Sequence, residues 1–267
     1  MGGIIMDLEL TGKRALVLAA SSGLGRATAH ELAREGAQVA LCSRELARAQ
    51  EAADAIVADT GATVHAFEAD VADAASLEAV FDGAVAALGG LDVLVNNAGG
   101  PPPGNFRDLE ESAWDRAYTL TLQSVVRSVR FAVPHLKQAG GGSILTLASS
   151  SVRQPIPNLL LSNVFRPAVR ALSKHLAEEL APDGIRVNVL SPGRVLTPRI
   201  EQLDAANAEK SGRTVRQVRD ATVAQIPLGR LGEPAEFGRV AAFLSSPAAS
   251  YVTGEHLLVD GGLIRGL

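Results

Sequence analysis

Short apolar runs alternate with longer amphipathic stretches along nearly the whole chain. Residues 13–20, KRALVLAA, lack the two-residue alternation of a half-exposed strand and suit one covered on both faces. RATAHELAREG follows at 26–36, with Ala27, Leu32 and Ala33 among its apolar positions and Gly36 as its stop. The same pairing recurs. AQVALCSR at 37–44 precedes an Ala-rich amphipathic helix over 45–60, and ATVHAFEADV at 62–71 reads as a strand ending at Asp70 before a helix over 73–88 closed by Gly89 and Gly90. LDVLVNNAGG at 91–100 is a fourth strand and turn. Beyond it come a rigid loop, PPPGNF, a long helix over 108–136, the buried strand SILTL at 143–147 and a helix over about 158–180. Pro167 lies inside that last helix and removes the N–H that would reach the Asn163 carbonyl, so a kink or a freed carbonyl is predicted there. The strand IRVNVL, a polar helix-prone segment, a helix opening at Glu233-Pro234 and a final strand, HLLV, complete the chain. Repeated strand–helix units predict an α/β, doubly wound, parallel sheet with right-handed crossovers in one domain, 1–267, of which residues 1–7 form a short disordered lead.

Composition narrows the functional classes. The 267 residues are 47% hydrophobic and suffice for one large core. A net charge of −4, with no Lys/Arg-rich run, offers no basic field for nucleic acid. No apolar run has the length of a membrane span, and the opening MGGIIMDLEL lacks the pattern of a signal peptide. The single cysteine, Cys42, fits a reducing compartment, so a cytoplasmic location is expected. The five histidines show no metal-ligand spacing, and no metal is expected.

Candidate chemistry gathers at the carboxyl ends of the predicted strands, where open α/β sheets bind ligands. Ser21, Ser22, Gly23, Leu24 and Gly25 join the first strand to the first helix. A glycine turn opening a helix leaves N–H groups and the positive end of the helix dipole free for a phosphate. Ser149, Ser150 and Ser151 end the strand at 143–147.

These segments resemble the short-chain dehydrogenase/reductase family, nearest its 3-oxoacyl-[acyl-carrier-protein] reductase branch, over about residues 8–262. The resemblance implies a Rossmann-type three-layer fold and a nicotinamide cofactor. Asn97, Ala98 and Gly99 match the family's N-N-A-G segment, and Ser191-Pro192-Gly193 its loop beside the nicotinamide. It implies cofactor contacts at Ala19 and the Ser21–Gly25 turn, at Asp70 and Val71, at Asn97 to Gly99, and at Pro192, Gly193, Val195 and Thr197. Ser43 and Arg44 end the second strand, where a carboxylate would select NAD; a basic residue there suits the 2′-phosphate, so NADP(H) is favoured.

The chain also departs from the family at the chemistry. The family's Thr and first Gly of the cofactor turn fall on Leu18 and Ala19. Its catalytic Ser falls on Ser149, but its Tyr falls on Ser162, its Lys on Arg166 and its relay Asn on Thr121. Arg166 keeps a cation for the ribose but cannot relay a proton, and an aliphatic hydroxyl is a far poorer acid than a phenol. Of the two tyrosines, Tyr118 packs on a helix near the site and Tyr251 is structural in this reading. The leading expectation is an NADP(H)-dependent oxidoreductase of a carbonyl or secondary alcohol, with 3-oxoacyl thioesters the nearest substrate class. Ser149 polarises the oxygen, and water held by Ser162 and Thr121 delivers the proton. The alternatives are a catalytically impaired relative that binds a nucleotide, ligand or partner protein, and a lyase or isomerase step that needs no Tyr. The resemblance further implies a substrate lid over 199–225 and a homodimer or homotetramer, for which the apolar run Leu159 to Leu161 and the C-terminal LIRGL are candidate contacts.

Overall fold

Seven parallel strands form a single sheet in a computed structural model that describes residues 7–266. The strands are β1 (Arg14–Val17), β2 (Gln38–Ser43), β3 (Val64–Glu68), β4 (Val93–Asn96), β5 (Gly142–Leu147), β6 (Ile185–Pro192) and β7 (His256–Val259). Their order across the sheet is β3-β2-β1-β4-β5-β6-β7. The direction of strand addition therefore reverses after β3, and β1 and β4 lie side by side at the switch point where such sheets bind ligands. Residues 1–6, most of the predicted disordered lead, lie outside the described residues.

Strand residues divide by parity between two cores. Ala15, Val17, Val39, Leu41, Val93 and Val95 face one side, against α1 (Gly23–Arg34), α2 (Leu46–Thr60) and α9 (Pro234–Ser245). Leu16, Ala40, Leu94 and Ile144 face the other, against α3 (Ala74–Leu88), α5 (Ser124–Gln138) and α6 (Leu160–Glu179). Both faces are covered, which is why the strands read as continuous apolar runs. Phe237 of α9 is fully buried in the first core, and burial of a side chain that size stabilises the fold by about 2–3 kcal/mol.

Three elements differ from the sequence expectation. β3 stops at Glu68, so Asp70 stands in the following turn, where its Oδ1 accepts from the Ala72 N–H at 2.9 Å. The helix expected over 108–136 is α4 (Glu111–Tyr118), a π-helical turn (Thr119–Gln123) and α5. α6 starts at Leu160, about two residues later than expected, and runs as one helical segment through Pro167 to Glu179. Pro167 has no N–H to give the Asn163 carbonyl, while Leu161, Val169 and Ala177 bury one face of the helix.

The polar segment after β6 forms two helices, α7 (Pro198–Ser211) and α8 (Val215–Val223). Leu161 is fully buried inside the subunit beside Ala113 and Ala117 and is not available for an intersubunit contact. Tyr251, expected to be structural, is fully exposed.

Candidate active site

The turn from β1 into α1 keeps a glycine-like backbone without the glycine. Ala19 has φ +49°, in the left-handed region that costs a residue with a Cβ about 1–2 kcal/mol. Its carbonyl accepts from Asn97 Nδ2 at 2.9 Å, and its N–H points to Cys42 Sγ at 3.4 Å. Gly25 is needed for that closeness, because a Cβ there would stand 2.6 Å from Asn97 Nδ2 and 2.8 Å from the Ala19 oxygen. The Ala19 and Asn97 turns are thus clasped together over the switch point. Leu18 supplies no side-chain hydrogen bond, but its N–H donates to the Val95 carbonyl at 3.0 Å, keeping β1 and β4 in register.

α1 starts at Gly23, where Ser22 makes no side-chain cap and the first turn carries no acid. Its N–H groups and dipole are therefore free to receive a phosphate, so a dinucleotide fits this turn. Thr197 caps α7 through its Oγ1, and its Cβ lies 3.8 Å from where a Cβ on Gly23 would sit, placing it beside the same turn. Gly99 is open on its Cβ side. At the β2 end, Ser43 is buried, while Arg44 and Arg26 are exposed. Neither forms an ion pair among the described residues, whereas Arg48 is matched to Glu45 at 3.1 Å.

Leu18, Val71, Asn97, Ala98, Thr121 and Arg166 share a cavity of about 10 Å³, whose other walls include Asn96, Thr146 and Leu147. That volume corresponds to about one water. Two of its polar groups are buried without a partner, Thr121 Oγ1 and Arg166 Nε. Arg166 spends one donor, Nη1, on the Leu147 carbonyl at 2.7 Å. Burial pulls its guanidinium down to about 10, so it remains a cation at neutral pH. Among the described residues no carboxylate lines this cavity. Thr121 lies in the π-helical turn, a local widening that often marks functional sites.

The predicted catalytic residues do not all meet there. Ser162 Oγ lies 3.1 Å from Ser151 Oγ, and neither Ser149 nor Ser162 lines the cavity. Ser149 Oγ accepts from the Ser151 N–H at 3.2 Å, which leaves its own O–H free to donate outward. Sequence reasoning missed Ser151; three consecutive serines at a strand end were the available signal. It also missed His256, whose Nε2 and Ser191 Oγ are 2.8 Å apart and whose Nδ1 accepts from Arg153 Nε at 3.4 Å. That chain ties β6 and β7 to the serine turn. Desolvation, with Arg170 and Arg153 nearby, pushes the His256 imidazole down to about 4. Tyr118 is partly exposed, with its ring centroid 6.2 Å from that of Phe165. Pro192 and Gly193 close β6 and Val195 is buried just after it, bridged to Gly232. No cluster of metal-binding side chains occurs among the described residues, and none of their helices is long and apolar enough to cross a membrane.

A family model described as enoyl-(acyl carrier protein) reductase matches residues 18–264. Dehydrogenase/reductase SDR family member 4 of Sus scrofa is 37% identical over 266 residues, covering 97% of this chain and 90% of its own length. L-sorbose reductase from Gluconobacter frateurii, solved with NADPH and L-sorbose, superposes with a TM-score of 0.93 at 33% identity, over 98% of this chain and 100% of that one. A 7α-hydroxysteroid dehydrogenase solved with NADH and a 7-oxo bile acid superposes with a TM-score of 0.87 at 33% identity, over 98% of each chain.

Proposed function

Because this chain belongs to the short-chain dehydrogenase/reductase family, we propose that it is an NADP(H)-dependent oxidoreductase of a carbonyl or secondary alcohol, 3-oxoacyl thioesters included, working without a tyrosine acid. The observation that carries this reading is the Ala19–Asn97 clasp: the chain holds a strained backbone in the shape a pyrophosphate needs, although the glycine that makes it cheap is gone. A nicotinamide cofactor bound here would supply the hydride to the carbonyl carbon or take it from the alcohol. Arg44 and Arg26 would hold the 2′-phosphate, which favours NADP(H); Thr197, Val195, Pro192 and Gly193 would bound the nicotinamide end, and Asp70 and Val71 the adenine end. That one structural neighbour carries NADPH and another NADH is consistent with either cofactor suiting the fold.

Ser149 donates its free O–H to the carbonyl oxygen. Arg166 places a fixed positive charge beneath the site, where negative charge on that oxygen is stabilised in a dry environment. The proton comes from a water at the site, and the hydroxide left behind is stabilised by the charge of Arg166, which lines one cavity with Thr121. Ser162 acts through Ser151, bracing the serine turn against α6. The active form is a homodimer or homotetramer.

A second reading, a catalytically impaired relative that binds a nucleotide or partner, is favoured by one observation. Ser162 Oγ is occupied by Ser151, and the cavity lining holds no side chain that titrates between about pH 6 and 9. A pH–rate profile of NADPH oxidation over a panel of ketones separates the two. The active enzyme should show a rate that stays flat from pH 6 to 9, because no group lining the cavity titrates there. A wild type with no turnover, beside a Ser162→Tyr/Arg166→Lys double variant that gains it, would establish the impaired reading instead.

A further inference from the structure

Arg166 is a buried cation that the fold leaves short of partners. Its Nη1 donates to the Leu147 carbonyl at 2.7 Å, and its Nε has no partner. Burial alone pulls its guanidinium down, and no carboxylate among the described residues acts to raise it. Elsewhere the same fold does satisfy a guanidinium. Arg186, only partly buried, gives Nη1 and Nη2 to the carbonyls of Leu244, Val252 and Ser246. A charge as buried as that of Arg166 is costly unless it is paired.

The cavity that Arg166 lines together with Thr121 has its surplus on the donor side. Of the other lining groups, Ser124 donates to the Leu120 carbonyl at 2.6 Å, Ser128 to Asn96 Oδ1, and Asn97 Nδ2 to the Ala19 carbonyl. The buried side-chain atoms of the lining without partners are Arg166 Nε, which only donates, and Thr121 Oγ1, which carries a proton to give. A water there would bring two more protons that need acceptors. An anion would bring none and would neutralise the guanidinium. The cavity has room for a body about the size of one water, which excludes phosphate, sulfate and carboxylates and admits a single-atom anion.

We infer that this cavity is a chloride site, with chloride as the counter-ion of Arg166 and the Thr121 hydroxyl as a further donor. Chloride seated there would also cancel the charge that Arg166 offers to hydroxide in the proposed reaction, and so would slow it. That consequence rests on the oxidoreductase reading above; the site itself does not.

The test needs no turnover. The full chain, free of cofactor, is unfolded with urea while sodium chloride replaces sodium gluconate at constant ionic strength. Chloride at ten times its Kd should favour the folded chain about tenfold over gluconate. Arg166→Met should erase the difference, and Thr121→Val should reduce it. Should Arg166→Met fail to fold, wild-type crystals grown in sodium bromide decide the matter, with an anomalous peak expected in the cavity against the Arg166 guanidinium. Identical unfolding in the two salts at every chloride concentration, a chloride effect that survives Arg166→Met, or bromide found at surface positions only, as an adventitious ion, would overturn the inference. Failure to bind NADPH strikes the oxidoreductase reading alone and leaves the chloride site standing.

Discussion

Ala19 carries a requirement that belonged to glycine. The sequence shows the replacement plainly, but not whether the turn has changed shape or the residue is strained. The structure answers with φ +49°, held by the Asn97 side chain. Ala19→Gly should therefore raise stability by at most about 1 kcal/mol, since relief of the strained backbone is partly offset by the greater freedom of glycine in the unfolded chain. Chemical denaturation with and without NADPH checks this, and NADPH affinity should be retained. Arg166 and Thr121 were legible as departures from the family pattern. What no spacing reveals is that the two line one cavity, each with a buried polar atom left unpartnered, since that depends on the π-helical turn between α4 and α5. The Ser151–Ser162 contact was likewise hidden. It joins a strand-end turn to a helix, and identical serines at 149, 150 and 151 do not say which one turns inward. At the β2 end, Arg44→Asp should lower NADPH affinity at least tenfold while sparing or improving NADH, measured by fluorescence titration; equal losses for both would deny Arg44 a role in the choice.

Elements were predicted better than their edges. The apolar runs located all seven strands, because a sheet covered on both faces fills its strands mostly with apolar residues. A helix packed along one face tolerates the loss of one hydrogen bond, as Pro167 inside α6 and Pro134 inside α5 both show. The internal bracing of the α7–α8 pair was not legible at all. Asp204 is 2% exposed and joins α7 to Arg219 of α8 and to Arg194 beside the Pro192–Gly193 turn. Both distances are long, so the triad is weaker than a tight buried pair, but a buried carboxylate still depends on its two cations. Asp204→Asn should cost about 1–2 kcal/mol and increase amide exchange across 198–223 more than across α1. Unchanged exchange across 198–223 would show that α7 and α8 are held by apolar packing alone.

For the whole molecule, the strand–helix repeat and right-handed crossovers were enough to anticipate a doubly wound parallel sheet. The cross-link that closes its far edge was not, because Ser191, His256 and Arg153 come from three distant parts of the chain. It gives the fold a pH dependence. The His256 imidazole sits near 4 instead of its ordinary 6.5, so the unfolded chain takes up a proton between these values that the folded chain refuses. Its contribution is fully present above about pH 6.5 and is lost as pH falls toward 4. Urea denaturation at pH 7 and 4.5 should show that loss, and His256→Gln should flatten it.

The account turns on whether the clasped Ala19 turn still receives a dinucleotide. Calorimetric titration of the purified protein with NADPH and, separately, NADH tests this most directly. Tight NADPH binding with NADH at least tenfold weaker is the expected result, with the Arg44→Asp variant reversing the order. Binding of neither would contradict it: the strained turn would then be a relic of shape without a ligand, and the oxidoreductase reading would fail with it.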